Sequence, residues 1–519
     1  MAKIYNMTHD IDRHAGTGKE AIRWLSAEGK RKVLTYSELK VKSDGLAKAL
    51  VEMGLKKGDR VMVLLPRLPE AYFSYMACLK AGLVVMPGSE MLRAGDIAYR
   101  LGHAQASAVI AHHHLADRVE EAEKQVTPLR VKIISGANRA NWIPLSDLNG
   151  LASTPLPQTT EDDMAFLSYT SGTTGNPKGV IHHHSWAIAH QQTATEHWLD
   201  IRADDVVWAT ASPGWAKWIW SPFISTLGAG ATAFVYHGTF DGEKYLQLLE
   251  KEKITVLCCT PTEYRIMAKQ DRLAKYILHL RSAVSAGEPL NREVINVFRK
   301  YFNLCVRDGY GQTENTLLIA TMKDMKEKPG SMGKPTPGNI VTIVDDDGKE
   351  VPEGEVGHIA VHRSSPALFK GYYQDPERTK QAFNGDWYLT GDRAKKDEDG
   401  YFWFEGRSDD IIISSGYTIG PFEVEDALVK HPAVKECAVV ASPDEIRGSI
   451  VKAFVILRDP AWASDELVLE LQEHVKKTTA PYKYPREIEF VDNLPKTASG
   501  KIRRVELRDL EFQRKKALS

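Results

Sequence analysis

Apolar and polar positions follow two alternating periods along the first two thirds of the chain. Thr35, Tyr36, Ser37 and Glu38 have the spacing of a capping box, in which a Thr and a Glu three residues on satisfy each other's backbone N–H groups. Leu39, Leu46, Leu50 and Met53 then recur near helical spacing, and Gly54 suits the helix stop. Apolar runs predict strands at 60–65, 84–86, 107–111, 164–168, 206–210, 231–236 and 254–259, several of them separated by helix-like stretches. This alternation predicts parallel sheets covered by helices. After about Pro329, glycines and prolines punctuate short alternating strands, 340–344 and 358–362, which predicts a small β-rich region. From about Asp410 helix and strand patterns return, and the chain closes on a charged amphipathic segment.

Length and composition refine this picture. A chain of 519 residues predicts about three domains or subdomains. With 43% hydrophobic and 26% charged residues it supports an ordinary packed core. A net charge of -1 argues against nucleic acid as a partner. Cys78, Cys258, Cys259, Cys305 and Cys437 form no CxxC pair, which predicts a reducing, cytoplasmic location. The opening MAKIYNMTHDIDRH has no apolar core of a secretory signal. The aromatic stretch 206–236 is interrupted by Lys217, two prolines and several glycines, so no integral membrane segment is expected there.

The strongest chemical signal follows the strand expected at 164–168. Thr170, Ser171, Gly172, Thr173, Thr174, Gly175 and Lys178 supply small hydroxyls, bare backbone and a cation, the features of a loop that cradles phosphate. It is not a Walker A loop, because Pro177 stands before the lysine and Gly179 after it. Alone, such a stretch equally describes a surface loop. Two histidine tracts, 112–114 and 182–184, are read as non-metal, since consecutive residues share no face of a helix or strand. Gly16 to Lys19 echoes a P-loop but has Arg13 where its first glycine belongs.

Six motifs in order resemble the adenylate-forming superfamily, which includes acyl-CoA synthetases, luciferases and peptide-synthetase adenylation domains. The phosphate loop is the first. Ser285-Ala286-Gly287-Glu288-Pro289 resembles the adenine-pocket segment, and Asp308-Gly309-Tyr310-Gly311-Gln312-Thr313-Glu314 the adenine and magnesium motif. Tyr388-Leu389-Thr390-Gly391-Asp392 is similar to the ribose motif, Gly406-Arg407-Ser408-Asp409-Asp410 to the interdomain hinge, and Pro495–Lys501 to the catalytic-lysine loop. Residues 414–417, 419–425 and 480–486 look most like the medium-chain acyl-CoA synthetases.

The resemblance implies an α/β fold. A large N-terminal domain, 1–408, would hold two wound α/β subdomains and a β-rich one; a small mobile α+β domain, 409–519, would carry Lys501 and a CoA loop. It implies an AMP-forming acid–CoA ligase using ATP, Mg²⁺ and coenzyme A. Lys501 would be the catalytic cation, offsetting repulsion between carboxylate and α-phosphate. Thr313 would contact the α-phosphate, Glu314 the magnesium ion, Asp392 the ribose hydroxyls, and Arg407 the ribose or phosphate. Ser415, Gly416 and Tyr417 would line the pantetheine tunnel, and Arg447, Lys476 and Arg486 would approach the CoA nucleotide. Thr418 departs from the basic residue usual among acetyl- and medium-chain relatives, which puts one phosphate contact in doubt. Asp409 would be the hinge. Trp215, Ala216, Ala286 and Gly311 would line the acyl pocket; Gly311 stands where acetyl-CoA synthetases have a tryptophan, which implies an acid larger than acetate (medium-chain, branched or aromatic). The resemblance also implies Lys501 as a target for a lysine acetyltransferase and deacetylase. Two other readings stay open: an enzyme that loads a carrier protein, and a non-catalytic ATP-binding sensor. The acid, the pathway and the oligomeric state are not legible.

Overall fold

The computed structural model describes the chain apart from residues 1–2, 149–153, 171–175, 288–289, 291, 415–416, 445–446, 480, 497–500 and 519. Packing divides it into two units, Met1–Ile340 with His362–Ala382, and Val341–Val361 with Phe383–Ser519.

The first unit holds two wound sheets. One runs in the order Ile143–Pro144, Val131–Ser135, Ala108–His112, Arg60–Leu64, Val84–Pro87, Met164–Thr170 and Lys178–His183; all neighbours are parallel except the last pair. The other has nine strands, with a parallel centre from Val306–Gly311 through Ser282–Ala286, Val256–Cys259, Val206–Ala209 and Thr232–His237 to Glu20–Ser26, and antiparallel edges. Long apolar runs such as Val61–Leu65 suit strands covered on both faces. Helix Pro69–Lys80 is buried on nearly every side, as its Ala, Phe, Tyr, Met and Leu content requires. Its terminal Lys80 is buried too, and Asp12 at 2.8 Å, Asp44 at 2.6 Å and the Ser43 hydroxyl at 2.9 Å offset the cost of burying its ammonium group.

The capping box forms as expected. Thr35 Oγ1 accepts from the Glu38 N–H at 3.2 Å, and Glu38 Oε2 accepts from the Thr35 N–H at 2.8 Å. Helix Tyr36–Glu52 follows, burying Leu39, Leu46 and Leu50, and Gly54 takes the left-handed conformation that ends it, with φ +85.

In the second unit, Val341–Val344, Val356–His362, Trp387–Lys396, Phe383–Asn384 and Phe402–Arg407 make one five-stranded sheet. A three-stranded sheet, Val434–Asp444, Gly448–Leu457 and Glu487–Phe490, carries helices Pro421–Val429, Asp465–Thr478 and Arg504–Leu518. Residues 383–408 therefore pack with the C-terminal residues. The physical reason is local: Gly420 brings its backbone so close to the Glu405 carbonyl that a Cβ would sit 2.0 Å from that oxygen, and helix Pro421–Val429 lies against strand Phe402–Arg407. Four of the five cysteines are buried and all are free thiols. Among the described residues, no helix is long and apolar enough to cross a membrane.

Candidate active site

The phosphate-loop segment is a hairpin. Strand Met164–Thr170 pairs antiparallel with Lys178–His183, and Thr170 stands opposite Lys178. Ser171, Gly172, Thr173, Thr174 and Gly175 lie outside the described residues. Lys178 Nζ lies 2.9 Å from Glu314 Oε1, donates to the Tyr372 hydroxyl at 2.7 Å, and sits 4.4 Å from the centre of that ring. The Tyr372 hydroxyl in turn donates to Glu314 Oε1 at 2.9 Å. Glu314 is buried, so two donors offset the cost of removing its charge from water. A cavity of about 210 Å³ opens beside this cluster, lined also by His103, Tyr373 and Arg378. His103 Nδ1 is 2.8 Å from the Tyr169 hydroxyl, at the foot of the hairpin.

The two adenine segments are brought together by parallel pairing, Ser285 with Asp308 and Ala286 with Gly309. Gly287 follows with φ +106 and open space where a Cβ would be; Glu288 and Pro289 lie outside the described residues. Asp308 is buried, which pushes its carboxyl up to about 7 despite backbone N–H donors from Gly309 and Leu290. Gly309 is required by the Trp198 ring, 2.6 Å from where a Cβ would start. Tyr310 lies on the same strand, and the Gln312 N–H donates to Asn315 Oδ1 at 2.9 Å, turning the chain toward strand Leu317–Ala320.

A Cβ at Gly311, expected in the acyl pocket, would lie 2.1 Å from the Thr316 carbonyl oxygen. The strand is irregular between Tyr310 and Gly311, and the glycine serves this close backbone approach. Of the other expected pocket residues, Trp215 is 38% exposed, Ala216 partly buried and Ala286 buried. Lys217 donates to the Ala286 carbonyl at 2.9 Å, turning inward. Trp218 belongs to the core, stacked on Phe223 and packed on Tyr72 and Tyr75.

Sequence reasoning missed the scaffold behind Thr313 and Glu314. His182 Nε2 donates to the Thr313 carbonyl at 2.6 Å, Trp186 Nε1 to the Asn315 carbonyl at 2.8 Å, and His190 Nδ1 meets the Thr316 hydroxyl at 2.6 Å. Burial holds His182 down at about 4 and His190 at about 3, so both act as neutral rings. Their four-residue spacing, just after the phosphate loop, was the available signal.

The second unit groups the remaining residues. Asp392 and Arg407 are cross-strand partners, with Arg407 Nη1 3.6 Å from Asp392 Oδ1 and Arg407 Nε 3.4 Å from Asp409 Oδ1. Arg508, on the last helix, donates to the Asp409 carbonyl and lies 2.9 Å from Asp410 Oδ1. Lys501 is exposed on a hairpin closed by the bridge between Lys496 and Ile502 and by the Arg503 N–H donating to the Pro495 carbonyl at 2.8 Å. Ser415 and Gly416 lie outside the described residues; Tyr417 pairs with Ser414 across a two-stranded hairpin. Lys476 and Arg486 share one ring, at 4.3 and 4.9 Å from the centre of Tyr484. The Arg447 backbone N–H donates to Asp444 Oδ1 at 2.8 Å, and its Nη1 lies 3.8 Å from the same oxygen.

Residues 11–373 match the profile of the AMP-binding enzymes, and residues 423–501 that of the AMP-binding enzyme C-terminal domain. The chain is 59% identical over 517 residues to an uncharacterized acyl-CoA ligase, YtcI, of Bacillus subtilis (strain 168), covering 98% of this chain and 97% of the relative. It is 43% identical over 504 residues to the mitochondrial acyl-coenzyme A synthetase ACSM3 of Homo sapiens, covering 95% and 86%. The crystal structure of the anthranilate CoA ligase AuaEII in complex with anthranoyl-AMP superimposes with a TM-score of 0.90 at 30% identity, covering 98% of both chains. A benzoate CoA ligase from Burkholderia xenovorans LB400 gives 0.85 at 30% identity, covering 97% and 100%. With both profiles matched in order and the phosphate hairpin bonded to the adenine motif, the chain belongs to the adenylate-forming family of AMP-binding enzymes.

Proposed function

We propose that the protein is an acyl-CoA synthetase, which condenses a carboxylic acid with ATP to acyl-AMP and pyrophosphate and then transfers the acyl group to the CoA thiol, releasing AMP. The observation that carries the reading is the contact of Lys178 with Glu314, which joins the phosphate hairpin to the adenine and magnesium motif. Six ordered motifs and the named acyl-CoA ligase relatives support it.

In this reading the attacking carboxylate is already ionised at neutral pH and needs no general base. Lys501 bridges it and the α-phosphate, and Thr313 holds an α-phosphate oxygen. Asp392 accepts from the ribose hydroxyls. Glu314 would hold a magnesium ion through its carboxylate, a hard-oxygen donor fixed by Tyr372. Bound there, the ion would neutralise charge on the phosphates. Ser415, Gly416 and Tyr417 border the pantetheine arm, and Arg447, Lys476 and Arg486 take the CoA phosphates. Asp409 is the pivot between half-reactions, the boundary at 408 being one of rotation, and Lys501 is open to acetylation. The acid is larger than acetate, a reading that Gly311 motivates and the anthranilate and benzoate CoA ligases of the same fold support. A reducing, cytoplasmic setting fits the free thiols.

The test is pyrophosphate–ATP exchange with acetate, butyrate, 2-methylbutyrate, octanoate and benzoate, followed by thioester release on adding CoA. Exchange without thioester would replace CoA by another acceptor, and no exchange with any acid would end the reading.

A further inference from the structure

The two histidine tracts meet different fates. In the second, His182 is spent on the Thr313 carbonyl, and His184 Nδ1 accepts the Met7 N–H at 3.2 Å. The first is built otherwise. His112 ends strand Ala108–His112, and His113 opens the 3-10 turn His113–Leu115. Consecutive side chains diverge on a regular strand or helix, but here the chain changes conformation between them. One ligating nitrogen from each of His112, His113 and His114 consequently lies within 4.8 Å of the others.

Two further observations concern the same spot. His113 Nδ1 is buried and has no hydrogen-bond partner. Gly136, with φ +91, has no side chain to fill the space between the rings; a Cβ there would lie 2.5 Å from His113 Nδ1 and 2.8 Å from His112 Nε2. Nitrogens of two rings thus face one small space. That space lies outside the C-termini of the paired parallel strands Ala108–His112 and Val131–Ser135, the end of a wound sheet at which ligands bind.

We propose that His112, His113 and His114 form a three-imidazole site for a divalent first-row transition cation of the zinc class. Imidazole donors suit Zn²⁺, Cu²⁺ and Ni²⁺ rather than Mg²⁺, which prefers oxygen. Metal–nitrogen bonds of 2.0–2.1 Å set tetrahedral ligands roughly 3.4 Å apart, closer than the 4.8 Å within which the three nitrogens lie, so the rings would turn on binding and the exposed His114 is the freest to do so. The fourth position is left to water or an anion. This site is separate from Glu314 and independent of the ligase reading.

The experiment uses the full, untagged chain stripped with chelator. Zn²⁺ is titrated by calorimetry, and Co²⁺ by visible absorption, which reports tetrahedral nitrogen coordination. One equivalent is expected, weakened at least about tenfold in His113→Ala and in His114→Ala. The exposed His114 variant guards against misfolding of the other. His183→Ala, in the second tract, should leave that equivalent in place. Absence of binding by the wild type, or unchanged affinity and stoichiometry in both tract-one variants, would overturn the site.

Discussion

Lys178 and Glu314 meet at 2.9 Å across 136 residues of sequence, with Tyr372 bridging them. A strand hairpin and a turn, each legible only as a motif, become one charged cluster through this contact. Glu314→Gln keeps a hydrogen-bond acceptor for Tyr372 but removes the negative oxygen. The expected outcome is retained folding with pyrophosphate exchange reduced about 10²–10³-fold and a raised Mg²⁺ requirement. Lys178→Met leaves a buried carboxylate short of a partner and should cost about 1–3 kcal/mol in urea unfolding.

Lys501→Ala should separate the half-reactions. Exchange is expected to fall about 10²–10³-fold, while supplied acyl-AMP and CoA still give thioester at close to the wild-type rate. Parallel loss of both would remove Lys501 from its assigned role.

Asp409 sits under Arg508, which holds both its carbonyl and the Asp410 carboxylate. Asp409→Pro fixes φ near -65° and should block at least one half-reaction in rapid-quench assays. Normal multiple turnover by the proline variant would exclude a pivot at this residue.

Burial of His190 as a neutral ring ties stability to pH. The folded ring protonates only near 3, the unfolded one near 6.5. As pH falls from 6.5 toward 3 the unfolded chain takes up the proton first, so stability is lost across that window and is fully present above it. His190→Gln should reduce the slope of unfolding free energy against pH by up to one proton, about 1.4 kcal/mol per pH unit. His182, held near 4, adds the same sign. Equal slopes in wild type and variant would show that the ring is not buried neutral.

Gly311→Ala separates a packing role from a pocket role. The added methyl would meet the Thr316 carbonyl at 2.1 Å, so the melting temperature should drop by several degrees. An unchanged acid range in the variant would leave Gly311 a packing residue alone, and a narrowed range would place it at the acyl pocket.

Local order decided what could be read directly. The capping box at Thr35 and Glu38, the apolar strands and the left-handed Gly54 depend on neighbours within a few residues, and they form as the pattern predicts. The motif order likewise carried the family, because backbone-cradling loops use fixed spacings of small residues. The sequence by itself thus determined the class of chemistry and the residues eligible for it. Tertiary structure decided which eligible residues meet. Nothing near Tyr372 marks it as the bridge to Glu314, and the four-residue spacing of His182, Trp186 and His190 groups them without naming Thr313 to Thr316 as what they back. The rule that consecutive histidines share no face applies to regular elements; at 112–114 a strand ends and a turn begins, and three ring nitrogens come within 4.8 Å. The space beside Gly311 is likewise set by what packs opposite, here a carbonyl five residues along the chain. Side-chain identity fixes which bonds a residue can make; only the folded backbone fixes the partner within the roughly 3 Å over which such bonds act.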